Sequence, residues 1–221
     1  MRYLKICICL LILGLSKQQI HAKTWVDSLD LYARESFMPP SKFRWNWMKA
    51  SLIHTMIKQF DKSNATEQKI YLDYIRNAMD KRYKRANGKT PNAVASGLGM
   101  AFLLRTTKEE KYKIACDKIY TDYLKIKRTK DGAVSHLIKN IELWDDTIFM
   151  IGQFLLEMYK ATNDEKYLDE FVKQVTLHRE KLQDKTTGLW FHGWDNDNKS
   201  HCTFCGQMNW ANNENRRSNE I

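Results

Sequence analysis

Two adjacent carboxylates, Asp145 and Asp146, follow a tryptophan in the run Glu142-Leu143-Trp144-Asp145-Asp146-Thr147-Ile148-Phe149-Met150. They stand at the mouth of an apolar, helix-periodic segment, Ile148 to Tyr159. A carboxyl group that keeps its proton near working pH can act as a general acid and, once ionised, as a base. A carboxylate at a helix start is also favoured by the helix dipole and by free backbone N–H groups, so both residues could instead serve as caps. Their company argues for chemistry. His136 lies ten positions before Asp146 and His192 forty-six after it, beside a second tryptophan- and glycine-containing stretch. Such residues can meet only if helices fold back on one another.

The elements available to bring them together are helical. Proline occurs only at 39, 40 and 91, and apolar residues recur at spacings of three and four along most of the chain. Trp25 to Phe37 reads as a first amphipathic segment, stopped by Met38-Pro39-Pro40. Trp45 to Phe60 reads as a second, with Trp45, Leu52, Ile53, Met56 and Ile57 largely on one face. By burial habit Trp45 and Trp47 belong in the core; because sugar rings stack on aromatics, Trp47 is kept as a binding-site candidate.

An internal repeat organises the rest. Leu103-Leu104 leads through Thr107-Lys108-Glu109-Glu110-Lys111-Tyr112 into a helix expected to end near Lys127. Leu155-Leu156 leads through Thr162-Asn163-Asp164-Glu165-Lys166-Tyr167 into one ending near Leu182. Both turns contain Thr-x-x-Glu, read as a capping box, and they lie 55 residues apart. A looser copy is Asn64-Ala65-Thr66-Glu67. Helix, short polar turn, helix, repeated at such intervals, predicts stacked or circularly arranged hairpins, with an α/α toroid as the closed form. The loops joining one hairpin to the next then collect at one end. In or beside them stand Asn92, His136, Trp144 to Asp146, Gly188 and His192, on one rim where loops carry function.

Of the 221 residues, the first 22 read as a signal peptide: a basic start, an apolar run from Ile6 to Leu15 too short to span a bilayer, and a polar stretch leading to Ile20-His21-Ala22. The expectation is a secreted or periplasmic protein starting near Lys23, with no membrane attachment after cleavage; an uncleaved anchor is the alternative, for which the apolar run is short. Losing Arg2, Lys5 and Lys17 lowers the formal charge of +10 by three. The remaining positive surface suits an acidic substrate or a membrane surface. Nucleic acid is a poor fit, because no basic run interleaves with stacking aromatics. Cys7 and Cys9 leave with the signal peptide, and Cys116, Cys202 and Cys205 remain, an odd number for a disulfide framework. A Cys202–Cys205 disulfide is an option after export, whereas structural zinc lacks a second ligand pair. Asn64-Ala65-Thr66 is an N-glycosylation sequon, meaningful only in a eukaryotic secretory host.

Trp144-Asp145-Asp146-Thr147-Ile148-Phe149-Met150, then Phe154-Leu155, the Thr-Asn-Asp-Glu-Lys-Tyr turn, and Asp184-Lys185-Thr186-Thr187-Gly188-Leu189 with His192-Gly193-Trp194-Asp195 resemble glycoside hydrolase family 105, the unsaturated rhamnogalacturonyl hydrolases. The neighbouring family 88 of unsaturated glucuronyl hydrolases shares that fold. The likeness covers about Asn92 to Asp195 and is thin before it. It implies an all-α (α/α)6 barrel, of which this chain carries about half, and hydration of the C4=C5 double bond in a terminal unsaturated uronic acid. The resemblance gives Asp146 the general acid/base role. Asn92, His136, Trp144 and His192 would bind substrate, an unsaturated uronate oligosaccharide derived from pectin or a glycosaminoglycan. Neither metal nor organic cofactor is called for.

Three departures bear on activity. Asn92 stands where the family commonly has an aspartate. Phe204-Cys205-Gly206-Gln207-Met208-Asn209-Trp210 resembles a worn form of a family motif, with Gln207 in place of an arginine suited to the substrate carboxylate. The chain also stops at Ile221, after about half the helices of the barrel. It is then either a truncated and inactive copy, or one completed by self-association or a second half-barrel chain. The alternative function is a non-catalytic helical fragment binding acidic oligosaccharide or a partner chain. A third reading, an ordinary glycosidase, needs a second carboxylate, for which only Asp145 and Asp195 offer themselves.

Overall fold

The computed structural model describes residues 24–201, so the expected signal peptide, Cys202, Cys205 and Gln207 lie outside the described residues. The segment up to Phe37 and the segment from Met38 onward form two compact units. In the first, α1 (Trp25–Tyr32) starts at Thr24, whose hydroxyl and the Asp27 carboxylate form a reciprocal capping box. It runs into a π-helical turn, Ala33–Phe37, where Arg34 pairs with Asp30 at 2.7 Å.

The second unit is built from three helical hairpins: α2 (Trp47–Lys62) with α3 (Ala65–Asp80), α4 (Pro91–Thr107) with α5 (Glu110–Tyr123), and α6 (Asp145–Thr162) with α7 (Glu165–Leu182). Helices α2, α4 and α6 form an inner row, α4 packing against α2 on one side and α6 on the other. Each outer helix lies on its own inner partner. This alternation is that of the expected α/α toroid, about half of a six-hairpin barrel.

Residue patterns dictate which helix goes inside. Helix α4 is enclosed by neighbours, and Val94 through Leu104 are buried without interruption, so it is apolar all round. The outer helices bury one stripe each, such as Tyr112, Ala115, Cys116, Ile119 and Tyr123 of α5 at spacings of three and four. Gly88, in the connection into α4, lies so close to α5 that a Cβ there would meet the Ile119 carbonyl oxygen at 2.2 Å. At the end where the hairpins turn, Arg105 of α4 binds Glu157 of α6 through Nε and Asp61 of α2 at 3.3 Å, tying the inner row together.

The tight turns repeat as expected but by a different device. Thr107 and Thr162 are not N-caps: each sits in the last turn of its inner helix and donates its hydroxyl to a carbonyl four residues back, Leu103 and Met158. Lys108 (φ 58°) and Asn163 (φ 56°) then take the left-handed conformation that ends the helix. The next helix is capped two residues later than a capping box would need, at Glu109 and Asp164, and starts at Glu110 and Glu165. The looser copy holds the true box, in which Asn64 accepts from the Thr66 and Glu67 N–H groups and Glu67 reaches back. Trp45 precedes α2 rather than joining it, its indole donating to the Asn87 carbonyl at 3.0 Å. Helix α5 stops at Tyr123, short of Lys127.

Beyond the expected helices lies a small sheet: β1 (Glu142–Trp144), β2 (Gly193–Asp195) and β3 (Ser200–His201), antiparallel in that order. Its register sets Trp144 opposite Gly193.

Candidate active site

The N-termini of the three inner helices meet at one end of the bundle. Ala50, Ala95 and Met150 cluster in the core there, and Trp47, Asn92 and Asp146 lie one turn nearer the helix starts. The connection from α5 to α6 reaches the same end through a hub at Ser135. Its hydroxyl bonds the carbonyls of Leu137 and Asn140 and accepts from Glu142 N–H, while His136 N–H donates to the Glu142 carbonyl at 2.7 Å. This web seats the His136 ring, 9% exposed, against α6. Beneath it, the Gln174 side chain of α7 accepts from Val134 N–H and donates to the Gly132 carbonyl.

Trp144 is the centre of the group. The His136 ring stacks on its indole at 4.3 Å with 8° between planes, and the His192 ring lies 5.2 Å away, tilted by 45°. Glu142 accepts the indole N–H at 3.0 Å and fixes the ring's rotation. His192 arrives because the β1–β2 pairing brings its carbonyl to Asp145 N–H at 2.9 Å. The two carboxylates then divide between the two imidazoles. Asp145 Oδ1 takes His192 Nδ1 at 2.6 Å and the Asp146 N–H at 2.8 Å. Asp146 Oδ1 lies 3.3 Å from His136 Nδ1, which is hydrogen-bonded to Thr147 Oγ1 at 2.9 Å.

Burial pushes the Asp146 pKa above its ordinary 3.8, helped by the neighbouring Asp145 charge and opposed by His192 and the Thr147 backbone N–H. Its Oδ1 is shut off from solvent without a well-aligned hydrogen bond, although the side chain as a whole keeps 39% of its surface. A carboxyl group in that setting is suited to hold a proton and deliver it to a reacting atom.

Among the sequence candidates, His136, Trp144, Asp146 and His192 form one contiguous group. Asn92, in the first turn of α4, is at the same end, with its Oδ1 buried and unbonded among the described residues. Trp47 is 43% exposed and has no ring contact with the tryptophan–histidine stack among those residues. Thr147 and Glu142 also bond directly to the group, and the sequence does not single them out; Asp145, which the sequence marks as the neighbour of Asp146, bonds to it as well. Thr147 carries one signal in the sequence, a hydroxyl residue immediately before the apolar run that starts at Ile148, and the structure buries it.

The carboxylates that an ordinary glycosidase would need are engaged otherwise. Asp195 closes its own turn, accepting from Asp197 N–H, Asn198 N–H and the Asn198 amide, and Asp145 serves His192. No cluster of three or more His, Cys, Asp or Glu that could hold a metal ion occurs among the described residues.

Comparison with known proteins agrees with this fold. The unsaturated rhamnogalacturonyl hydrolase YesR of Bacillus subtilis (strain 168) is 26% identical over 182 residues, which are 76% of this chain and 52% of that protein. The chain thus spans about half the length of this relative. Two solved structures superpose with a TM-score of 0.62, each covering 71% of this chain and 42% of the other. One, described as a possible member of the GH105 family, is from Salmonella enterica subsp. enterica serovar Paratyphi A and is 27% identical. The other, described in the same words, is from Klebsiella pneumoniae subsp. pneumoniae and is 25% identical. The family model for Glycosyl Hydrolase Family 88 matches residues 18–217, nearly the whole sequence, and the chain belongs to that family.

Proposed function

We propose that this protein is an exported hydrolase that removes a terminal unsaturated uronic acid from an acidic oligosaccharide by hydrating its C4=C5 double bond. The observation that carries the reading is Asp146: a carboxyl group with one oxygen buried, its pKa raised, at the mouth of the inner helices and beside an imidazole. Its proton adds to C4, the π electrons forming the new C–H bond. The electron deficit left at C5 is shared by the ring oxygen. Water then adds at C5 and gives its proton to the Asp146 carboxylate, which restores the acid. The hemiketal so formed opens to a ketone and expels the remaining sugar. His136, His192 and Asn92 bind hydroxyls or the carboxylate of the uronate. Trp144 walls the site against bulk water, and Trp47 offers a face for a sugar further along.

The relatives support the substrate class, since YesR carries the unsaturated rhamnogalacturonyl hydrolase name. One specific feature favours the non-catalytic reading: Asn92 can hydrogen-bond a hydroxyl but cannot carry charge. The deciding experiment follows the ultraviolet absorbance of the conjugated C=C–carboxylate in unsaturated rhamnogalacturonyl and glucuronyl disaccharides. Decay with the native protein, reduced roughly 10²–10⁴-fold in Asp146→Asn, is the expected result. Saturable binding with no decay would replace catalysis by a binding function.

A further inference from the structure

We infer that Asp145 is a positioning residue that locks His192 in its Nδ1–H form, so that His192 meets the substrate through an unprotonated Nε2, as a hydrogen-bond acceptor for a sugar hydroxyl. The inference rests on the proposed substrate class only for its kinetic consequence. A carboxylate has no proton to give, so the 2.6 Å contact between Asp145 Oδ1 and His192 Nδ1 requires the proton on the ring nitrogen. The same Oδ1 already accepts the Asp146 N–H at 2.8 Å, which marks it as an acceptor and fixes its direction. The backbone bond from Asp145 N–H to the His192 carbonyl, 2.9 Å, holds the two residues together at a second point.

The opposite edge of the ring is then defined. Nε2 of His192 has no hydrogen-bond partner among the described residues and is not sealed from solvent, while the Trp144 indole lies tilted beside the ring at 5.2 Å. In the neutral ring, the nitrogen left without a proton can only accept.

His136, stacked on the same indole, differs in kind. Its Nδ1 lies closest to the Thr147 hydroxyl at 2.9 Å, which can donate or accept, with Asp146 Oδ1 farther off at 3.3 Å. The two histidines in contact with Trp144 are therefore held differently: His192 Nδ1 by the 2.6 Å bond to Asp145, and His136 Nδ1 by the Thr147 hydroxyl at 2.9 Å with the Asp146 carboxyl at 3.3 Å. The adjacency of Asp145 to Asp146 acquires a purpose, because one carboxylate orients an imidazole while the next holds the mobile proton.

The test is ¹⁵N–¹H correlation of the imidazole rings in the whole protein at a pH where His192 is neutral, with its signals assigned by their loss in His192→Gln. The expected spectrum shows a protonated Nδ1 and a bare Nε2, and in Asp145→Ala the Nδ1–H signal is lost. A bare Nδ1 in the native protein overturns the inference, as does a folded Asp145→Ala whose His192 spectrum is unchanged. If Asp145→Ala fails to fold, the native spectrum alone decides. With turnover, Asp145→Ala should raise KM roughly tenfold and leave kcat within about twofold, the loss of one oriented hydrogen bond. A fall in kcat at unchanged KM contradicts the binding role. Failure of the proposed reaction would leave the spectrum as predicted and only the kinetics silent, so the two failures are distinguishable.

Discussion

Asp146 and His178 have pKa values displaced by the same cause, burial, and the signs give opposite pH dependences. The native pKa of Asp146 lies above the 3.8 of a free carboxyl group, so between those values the native state holds more proton than the unfolded state. Stability from this group falls as pH rises through that window. Asp146→Asn should therefore melt higher than the native protein above the window, and the difference should vanish below pH 3.8. As an acid catalyst, Asp146 must be protonated, so kcat/KM should fall as pH rises through the same raised pKa. His178 is fully buried, its Nδ1 bonded to the Gln174 carbonyl, and its pKa is pushed down to about 4. Here the unfolded state binds the proton first, so stability falls as pH drops from 6.5 toward 4. Denaturant unfolding should register a loss on the order of 3 kcal/mol across that range, largely removed in a His178→Gln variant that keeps its fold. Asp146, Trp144 and the two site histidines are legible in the sequence through their types and the company they keep. The Asp145–His192 bond is not: it spans 47 positions and depends on a three-residue strand register that no local pattern encodes.

At the scale of elements, the site is held by what happens at both ends of the inner helices. Helices α2, α4 and α6 start at the site and finish at the Arg105 clamp, which joins α4 to α6 through Glu157 and to α2 through Asp61. Glu157 is almost wholly buried, its side chain 4% exposed, and Arg105 is its main partner. Arg105→Met should cost about 2–3 kcal/mol by stranding that charge, the loss being tempered by Lys160 at 3.3 Å. Adding Glu157→Leu should recover most of it, as chemical denaturation of the single and double variants would show. The helices themselves were readable because α2, α3, α5 and α7 carry stripes at helical spacing and α4 is apolar throughout. The small sheet was not, since strands of two and three residues are too short to display alternation. The turn device is not legible for a similar reason. A threonine three residues before a glutamate has the same spelling whether the helix begins at the threonine or ends just after it, and only the left-handed Lys108 and Asn163 decide.

For the whole molecule, the 55-residue repeat is the feature that most constrains the architecture, because one helical hairpin cannot bury its apolar face alone and three in succession build a continuous core. The excess of positive charge, +10 over the full sequence and three less without the expected signal peptide, acts at this scale too. An anionic uronate is drawn to a positive surface, and salt screens that attraction. Raising ionic strength from about 0.05 to about 0.5 M should raise KM a few-fold with kcat little changed, which steady-state kinetics at fixed pH can check. The central claim is that a proton from Asp146 enters the sugar at C4. It is tested most directly by running the reaction on an unsaturated uronate disaccharide in D₂O and examining the products by NMR. The account predicts one deuteron at C4 of the released uronate, loss of the double bond in step with release of the second sugar, and neither event in Asp146→Asn. Release of the second sugar with the double bond intact and no deuterium at C4 would contradict it, and would mean that the glycosidic bond is cleaved by ordinary hydrolysis.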